Sequence, residues 1–311
     1  MIVVAGEALV DLVIGLDGSV AAKLGGGPFN VARTIARLGG SVGFLGSISR
    51  DRFGERLLAA LTGDGVHDEM IQRTDAPTTL AAAELDDGGA ASYRFYLDGT
   101  SAPALDHAPR ASEPITALHL GTLGLVLEPM ATTLEHYAAS MPTDVLVMLD
   151  PNCRERVVTD RDEYLARVDR VLASSHVVKI STDDAEYLAP SSTARNLAHV
   201  LLRRGPKVVL VTAGSAETVV VGEQGEIDVP IPRVDVVDTI GAGDSFGGAF
   251  VAWWHEAGLG RTDLTDLAAL RAATSAAVQV AAITCTRSGA EPPTASEMGP
   301  RWAPSWVAAR P

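Results

Sequence analysis

The chain has 311 residues, 47% hydrophobic but only 5% aromatic, with 30 glycines. That is enough apolar mass for one large α/β domain whose helices pack closely on a sheet. A formal net charge of −14 argues against a nucleic-acid or anionic-membrane surface, so any phosphate must be gripped locally, and two cysteines, Cys153 and Cys285, exclude a disulfide framework or a cysteine metal site.

In chain order, residues 2–5 form a continuous apolar run ending at Gly6, the pattern of a strand buried on both faces. The opening stretch carries Glu7 and Asp11 and reads as a core strand, not a secretory leader. Asp11 is a carboxylate among apolar neighbours; it can accept bonds from sugar hydroxyls, or sit on the surface of a strand leaving the sheet. Gly25-Gly26-Gly27-Pro28-Phe29-Asn30 leads into a predicted helix at 29–38. Its glycines admit a ligand close to the backbone, and Asn30 offers a polyol both a donor and an acceptor.

Strand-like runs recur at 42–45, 117–120, 145–149, 177–180 and 208–212, with amphipathic helices predicted at 53–61, 130–140, 164–173 and 193–203. This alternation predicts an α/β fold: a doubly wound, mostly parallel sheet with helices on both faces, whose ligands gather at the carboxyl ends of the strands. No uncharged apolar run reaches membrane-spanning length, so a soluble, cytoplasmic protein is expected. Residues 78–84 and 92–97 break the pattern as two strand-like runs joined by Asp86-Asp87-Gly88-Gly89, a hairpin signal. With the segments near 12–15 and 19–24 they read as a small β-sheet lid, or else as a plain edge hairpin. The expected organisation is a single domain over 1–311 with lid segments at about 12–24 and 76–100.

Asp150-Pro151-Asn152-Cys153-Arg154 follows a strand end and could bind phosphate or hydroxyls, or its residues could bond one another; Thr212-Ala213-Gly214 ends another strand and could receive nucleotide phosphates, or form a simple turn. Residues 238–250 read Asp-Thr-Ile-Gly-Ala-Gly-Asp-Ser-Phe-Gly-Gly-Ala-Phe. Gly241 and Gly243 let the amides of 240–243 converge on one anion, and the predicted helix at 245–256 points its positive end the same way. Asp244 at its mouth is either a base for an attacking alcohol or a helix cap. A base beside an anion-binding turn is what phosphoryl transfer to a hydroxyl requires.

Together these residues resemble the ribokinase-like carbohydrate kinases, the phosphofructokinase-B type. Gly25 to Ala32 resembles the first signature of that family and Asp238 to Asp244 its second; Asp11, the Asp-x-Asn-x-Arg at 150–154 and the Thr-Arg-Ser-Gly-Ala at 286–290 extend the resemblance over nearly the whole chain. It implies an ATP- and Mg2+-dependent kinase for an alcohol of a small sugar or nucleoside. Asp244 matches the catalytic base, and Gly241, Ala242 and Gly243 match the anion hole. Asp11, Gly26, Gly27 and Asn30 match substrate positions, with Arg94 and Arg154 as cations that could meet a substrate anion. Ser181, Thr212, Gly214 and Gly243 fall on the nucleotide side, and the helix carrying Ser275, Ala276 and Gln279 resembles the adenine wall. Asp238, Ile240, Thr284, Arg287 and Gly289 match positions that bind a monovalent cation, K+, in many relatives, although Pro293 stands where a serine often does. The family's Asn-x-x-Glu appears as Ser181-Thr182-Asp183-Asp184, so Asp184 would reach Mg2+ through water.

Residues 6–11 and 95–102 look most similar to fructokinases. Kinases of 2-keto-3-deoxygluconate share this branch but tend to carry an arginine where Leu97 stands, so fructose is the expected acceptor, with the ketodeoxy acid, another sugar or a nucleoside as alternatives. A non-catalytic sugar sensor is the rival from another class, and the intact Asp244 speaks against it. A dinucleotide oxidoreductase is set aside, since no Gly-x-Gly-x-x-Gly turn follows the first strand. Pairing of two copies through the lid sheet, a homodimer, is expected.

Overall fold

The computed structural model describes residues 1–85, 91–299 and 302. The apolar runs become strands and the amphipathic stretches helices in the order β1 (Ile2–Ala5), β2 (Leu9–Ile14), β3 (Val20–Gly25), α1 (Gly27–Arg37), β4 (Val42–Ser49), α2 (Arg52–Asp64), β5 (Ile71–Thr74), β6 (Leu80–Leu85) and β7 (Ala91–Tyr96). The chain continues through β8 (Ala117–Gly121), α3 (Met130–Ala139), β9 (Leu146–Asp150), α4 (Arg161–Leu172), β10 (Val177–Ser181), α5 (Thr182–Leu188), α6 (Ala194–Leu202) and β11 (Val208–Thr212). It ends with β12 (Thr218–Gly222), β13 (Gly225–Val229), α7 (Ala242–Glu256), α8 (Leu267–Cys285) and α9 (Ala295–Met298).

The main sheet has nine strands in the order β13-β12-β11-β10-β9-β8-β1-β4-β5, and a second sheet has four in the order β3-β2-β6-β7. Every pairing from β11 to β5 is parallel; β12 and β13 add an antiparallel edge. Alternate strand residues feed two cores. Ile2, Val4 and Phe44 pack with Phe29 and Ile35 of α1, Phe250 and Trp254 of α7, and Ala273 of α8. Val3, Ala5 and Leu45 face the other way, toward Leu134 of α3, Leu172 of α4 and Leu197 of α6. Helices on both faces of a mostly parallel sheet are the doubly wound arrangement the alternation predicts.

Two features depart from the sequence expectation. β4 extends four residues beyond 45 because Gly46 admits a close backbone approach: a Cβ there would lie 2.5 Å from the Gly6 carbonyl oxygen. β5, β12 and β13 were not foreseen; they are short, and β13 alternates exposed and buried residues as an edge strand does. The two strand-like runs at 78–84 and 92–97 do pair antiparallel as β6 and β7, while β2 joins β6 in parallel, so the small sheet is separate from the main one. The expected turn at Asp86 to Gly89 lies outside the described residues, as does Trp306 of the tail. Trp302 is buried, and its indole N–H donates to Glu256 at 2.9 Å. By length and composition α8 could cross a membrane, yet it packs on α7 and the sheet as a core helix.

A buried charge cluster ties the first helices to residues 291–292. Arg33 Nε donates to Asp64 at 2.6 Å and its two terminal nitrogens donate to Glu291 at 3.3 Å, while Arg37 donates to Asp64 and to the Pro292 carbonyl. Arg33 is only 8% exposed, so removing its partner leaves a guanidinium short of compensation. Asp64→Ala should therefore cost about 3 kcal/mol, read as a lower urea midpoint at unchanged slope.

Candidate active site

Two helix starts meet above the carboxyl edge of the main sheet. α1 begins after Gly26, which has φ of 110° and whose Cβ would stand 2.6 Å from the Glu7 carbonyl oxygen, so only glycine fits that turn. No side chain of Gly26 can cap α1; the Glu7 carboxylate does so from a distance, accepting from Gly27 N–H at 3.2 Å and from the Thr122 hydroxyl at 2.6 Å. α7 begins after Gly241 at φ of 76°, where a Cβ would lie 2.4 Å from that of Ala290. Asn30 of α1 donates its amide to Asp244 of α7 at 2.8 Å, and this bond joins the two starts.

The helix at 242–256 starts three residues earlier than the predicted 245, so Asp244 lies inside its first turn and does not cap it. The anion-binding amides also shift. Ile240 N–H donates to Asp238 and Ala242 N–H to Thr239, which leaves those of Gly241, Gly243 and Asp244, among the described residues, to face an anion.

A cleft of about 1240 Å³ opens there. Of the residues singled out from sequence, Asp11, Gly26, Gly27, Asn30, Arg154, Ser181, Thr212, Gly214, Ile240, Gly241, Ala242, Gly243 and Asp244 line it. Asp11 comes from the small sheet, and Gly25 makes room for it, since a Cβ at 25 would meet the Asp11 carboxylate at 2.3 Å. Other expected residues stand elsewhere. Arg94 is exposed on β7, on the face opposite Phe95, and among the described β7 side chains it is Phe95 that reaches the cleft. Leu97 packs on the core below the small sheet and does not line the cleft, so it cannot be what a substrate carboxylate would meet. On α8 the cleft wall is Val278, Ala281, Ala282 and Cys285; Ser275, whose hydroxyl is bonded to the Arg271 carbonyl, and Gln279 do not line it.

Asp184 is buried, and its carboxylate is taken by Ser181 N–H at 2.7 Å, the Ser181 hydroxyl at 2.7 Å and Cys153 N–H at 2.6 Å. It closes a capping box on α5 and holds the 150–154 loop; the neighbouring Asp183 faces the cleft instead. Asp238 ties the anion turn to the next loop, accepting from Ile240 N–H at 3.0 Å and Gly289 N–H at 2.8 Å. Thr284 is buried and bonded to Ser245, and Arg287 reaches Glu297. Among the described residues there is no cluster of three or more metal-ligating side chains.

Burial sets the electrostatics. It raises the pKa of Asp244, against the Asn30 hydrogen bond and the charges of Lys179 and Arg154. It also lifts Asp11 to about 6, opposed by Arg154, and Glu7 to about 7, opposed chiefly by the Thr122 hydrogen bond. Glu7 and Lys179 are cleft residues that the sequence reading did not assign to the site. Each is a charged residue inside an otherwise apolar stretch, which is the signal that could have found them.

Residues 1–297 match the model of the family described as pfkB family carbohydrate kinase. The chain is similar to the fructokinase of Rhizobium leguminosarum bv. trifolii, 33% identical over 259 residues that cover 81% of this chain and 79% of the relative. Its fold matches that of a Xylella fastidiosa fructokinase crystallised with bound ATP, at a TM-score of 0.83 and 26% identity over 93% of each chain. It also matches the fructokinase of Vibrio cholerae O395 in its fructose, ADP and calcium ion bound form, at a TM-score of 0.83 and 26% identity over 93% of this chain and 94% of that one.

Because the folded protein holds a proton on Glu7 up to about pH 7, while the unfolded chain releases it near 4.5, the contribution of this residue to stability falls as the pH rises between those values. Glu7→Gln keeps an acceptor for Gly27 and Thr122 without the charge. It should raise Tm at pH 8 and change it little at pH 5; the same shift at both values would refute the burial argument.

Proposed function

The chain belongs to the pfkB family of carbohydrate kinases, and from that premise we propose that it transfers the γ-phosphoryl group of ATP to a hydroxyl of fructose. The observation that carries this reading is Asp244 in the first turn of α7, held by Asn30 and flanked by glycine amides on a cleft that Asp11 closes from the small sheet.

In this reading Asp244 takes the proton of the attacking hydroxyl, and the amides of Gly241, Gly243 and Asp244 receive charge as it develops on the transferred oxygens. Asp11, Gly26, Gly27, Asn30 and Arg154 orient the sugar. Thr212, Gly214 and Ser181 hold the nucleotide side, with the α8 wall from Val278 to Cys285 in place of Ser275 and Gln279. ATP supplies the phosphoryl group. With Asp184 engaged by three donors, the described residues offer no carboxylate set that fits a directly ligated Mg2+; Asp183, which lines the cleft, would meet through water an ion carried on the ATP phosphates, where the metal would neutralise phosphate charge. The loops at 238–240 and 284–289, joined through Asp238 and Gly289, would hold any monovalent cation such as K+. Exposed Val20 and Tyr96 on the small sheet suit a homodimer, which static light scattering of the purified protein would check. A cytoplasmic setting agrees with ATP as the donor.

Preference for a neutral sugar follows from charge. Glu7, Asp11 and Asp244 all line the cleft, with Arg154 as the guanidinium whose field reaches all three. A ketodeoxy acid would bring a further carboxylate into this group, at a cost of a few kcal/mol by desolvation and repulsion, or roughly a hundredfold in kcat/KM. With ATP and Mg2+, fructose should outrun 2-keto-3-deoxygluconate by at least that factor; equal efficiencies would defeat the charge argument. Asp244→Asn should lower kcat by about two to four orders of magnitude with fructose affinity kept within a few fold. Near-normal turnover would remove Asp244 from its role, and binding without turnover in the unmodified protein would favour a sugar sensor.

A further inference from the structure

Lys179 sits in the middle of the apolar strand β10, 3% exposed, with its ammonium 2.8 Å from Asp150 at the end of β9. It reaches past the sheet edge to the underside of α7: a Cβ on Gly243 would stand 3.1 Å from its Nζ. It also lines the cleft. We propose that Lys179 is a positioning residue for phosphoryl transfer, a fixed cation that Asp150 pins beneath the first turn of α7, where it backs the anion-binding amides and sets positive potential beside Asp244.

The placement is hard to explain as packing. Burying an ion pair is poor value for stability compared with apolar residues of similar size. A cation at a helix N-terminus also opposes the helix dipole. Both costs turn into gains once an anion occupies the turn, because amides, dipole and ammonium then converge on it in a region of low dielectric. Gly243 fits the same account, since its missing side chain leaves the space that the ammonium approaches.

The charged and titratable groups facing this point come from every element around it. Asp244 belongs to α7, Asp150 to β9, Asp184 to α5, Asp11 to β2 and Arg154 to the loop after β9. His119 on β8 is buried beside Gly247 and kept neutral by burial and by Lys179 itself, so it adds no charge. Lys179 and Arg154 are the cations whose fields favour the ionised Asp244, and Lys179 is the buried one.

The inference rests on the kinase reading, and its test separates the two. Lys179→Met removes the charge at similar length. Lys179→Met with Asp150→Asn removes both charges and leaves no uncompensated carboxylate, so it carries the test if the single variant does not fold. For each folded variant, kcat should fall about ten- to hundredfold, while fructose affinity at pH 8, measured by calorimetry without nucleotide, stays within about threefold. The acid limb of kcat, and the pH midpoint of fructose binding without nucleotide, should both move up by about one pH unit in Lys179→Met as Asp244 loses a favourable charge, and by less in the double variant, where loss of the Asp150 charge offsets part of the shift. A folded variant with unchanged kcat and unchanged midpoint would show Lys179 to be structural only. If the unmodified protein binds fructose without phosphorylating it, the kinase reading fails, and the shift of the binding midpoint still decides whether Lys179 governs Asp244.

Discussion

The hydrogen bond from Asn30 to Asp244 closes the gap between two helix starts, and the rest of the cleft is built around it. Each helix brings unpaired amides to the same edge of the sheet, and each needs a glycine in a positive-φ turn to do so. The two starts could not approach without Gly26, Gly27 and Gly241, whose missing side chains would collide with the Glu7 backbone, Thr122 and Ala290. Convergence creates a strongly positive locus from backbone alone, and the carboxylates Glu7 and Asp244 answer it from inside the fold.

That balance explains why the chain can be acidic overall and still handle phosphate. Attraction comes from a few amides and from the cations that line the cleft, Arg154, Arg156, Lys179 and Arg233, while the surface repels anions at longer range. Burial raises the proton affinity of Glu7, Asp11 and Asp244, and a specific partner pulls each back: Thr122 for Glu7, Arg154 for Asp11, Asn30 for Asp244. The acid and base character of the site is thus set pairwise, by neighbours on different elements.

The sequence made the sheet and its winding legible because buried parallel strands leave continuous apolar runs, and it made α7 legible because two glycines and an aspartate mark a helix start. β5 and β13 were hidden because edge strands carry polar residues and look like loops. Asp184 was misjudged because a carboxylate three residues from a serine can be a capping box as easily as a ligand, and only the fold shows three donors already on its oxygens. Arg94 was misjudged through parity: one position along a strand turns a side chain to the other face, and it is Phe95 that reaches the cleft. Pairings such as Lys179 with Asp150, 29 residues apart in sequence, come from tertiary structure that no local pattern reports.

Gly248 has its own consequence. A Cβ there would press on Thr34 at 2.9 Å and on the Val31 carbonyl at 2.9 Å, so α1 and α7 lie with their backbones nearly in contact. Helices seated this closely behave as one solid block, with little room to slide or tilt against each other. Asn30 and Asp244 therefore ride together through any cycle of opening and closing, and their spacing is a constant of the molecule. The four-stranded sheet is separate from this block and supplies Leu9, Asp11 and Phe95 to the cleft, so any movement of that sheet would carry those three groups past a fixed pair.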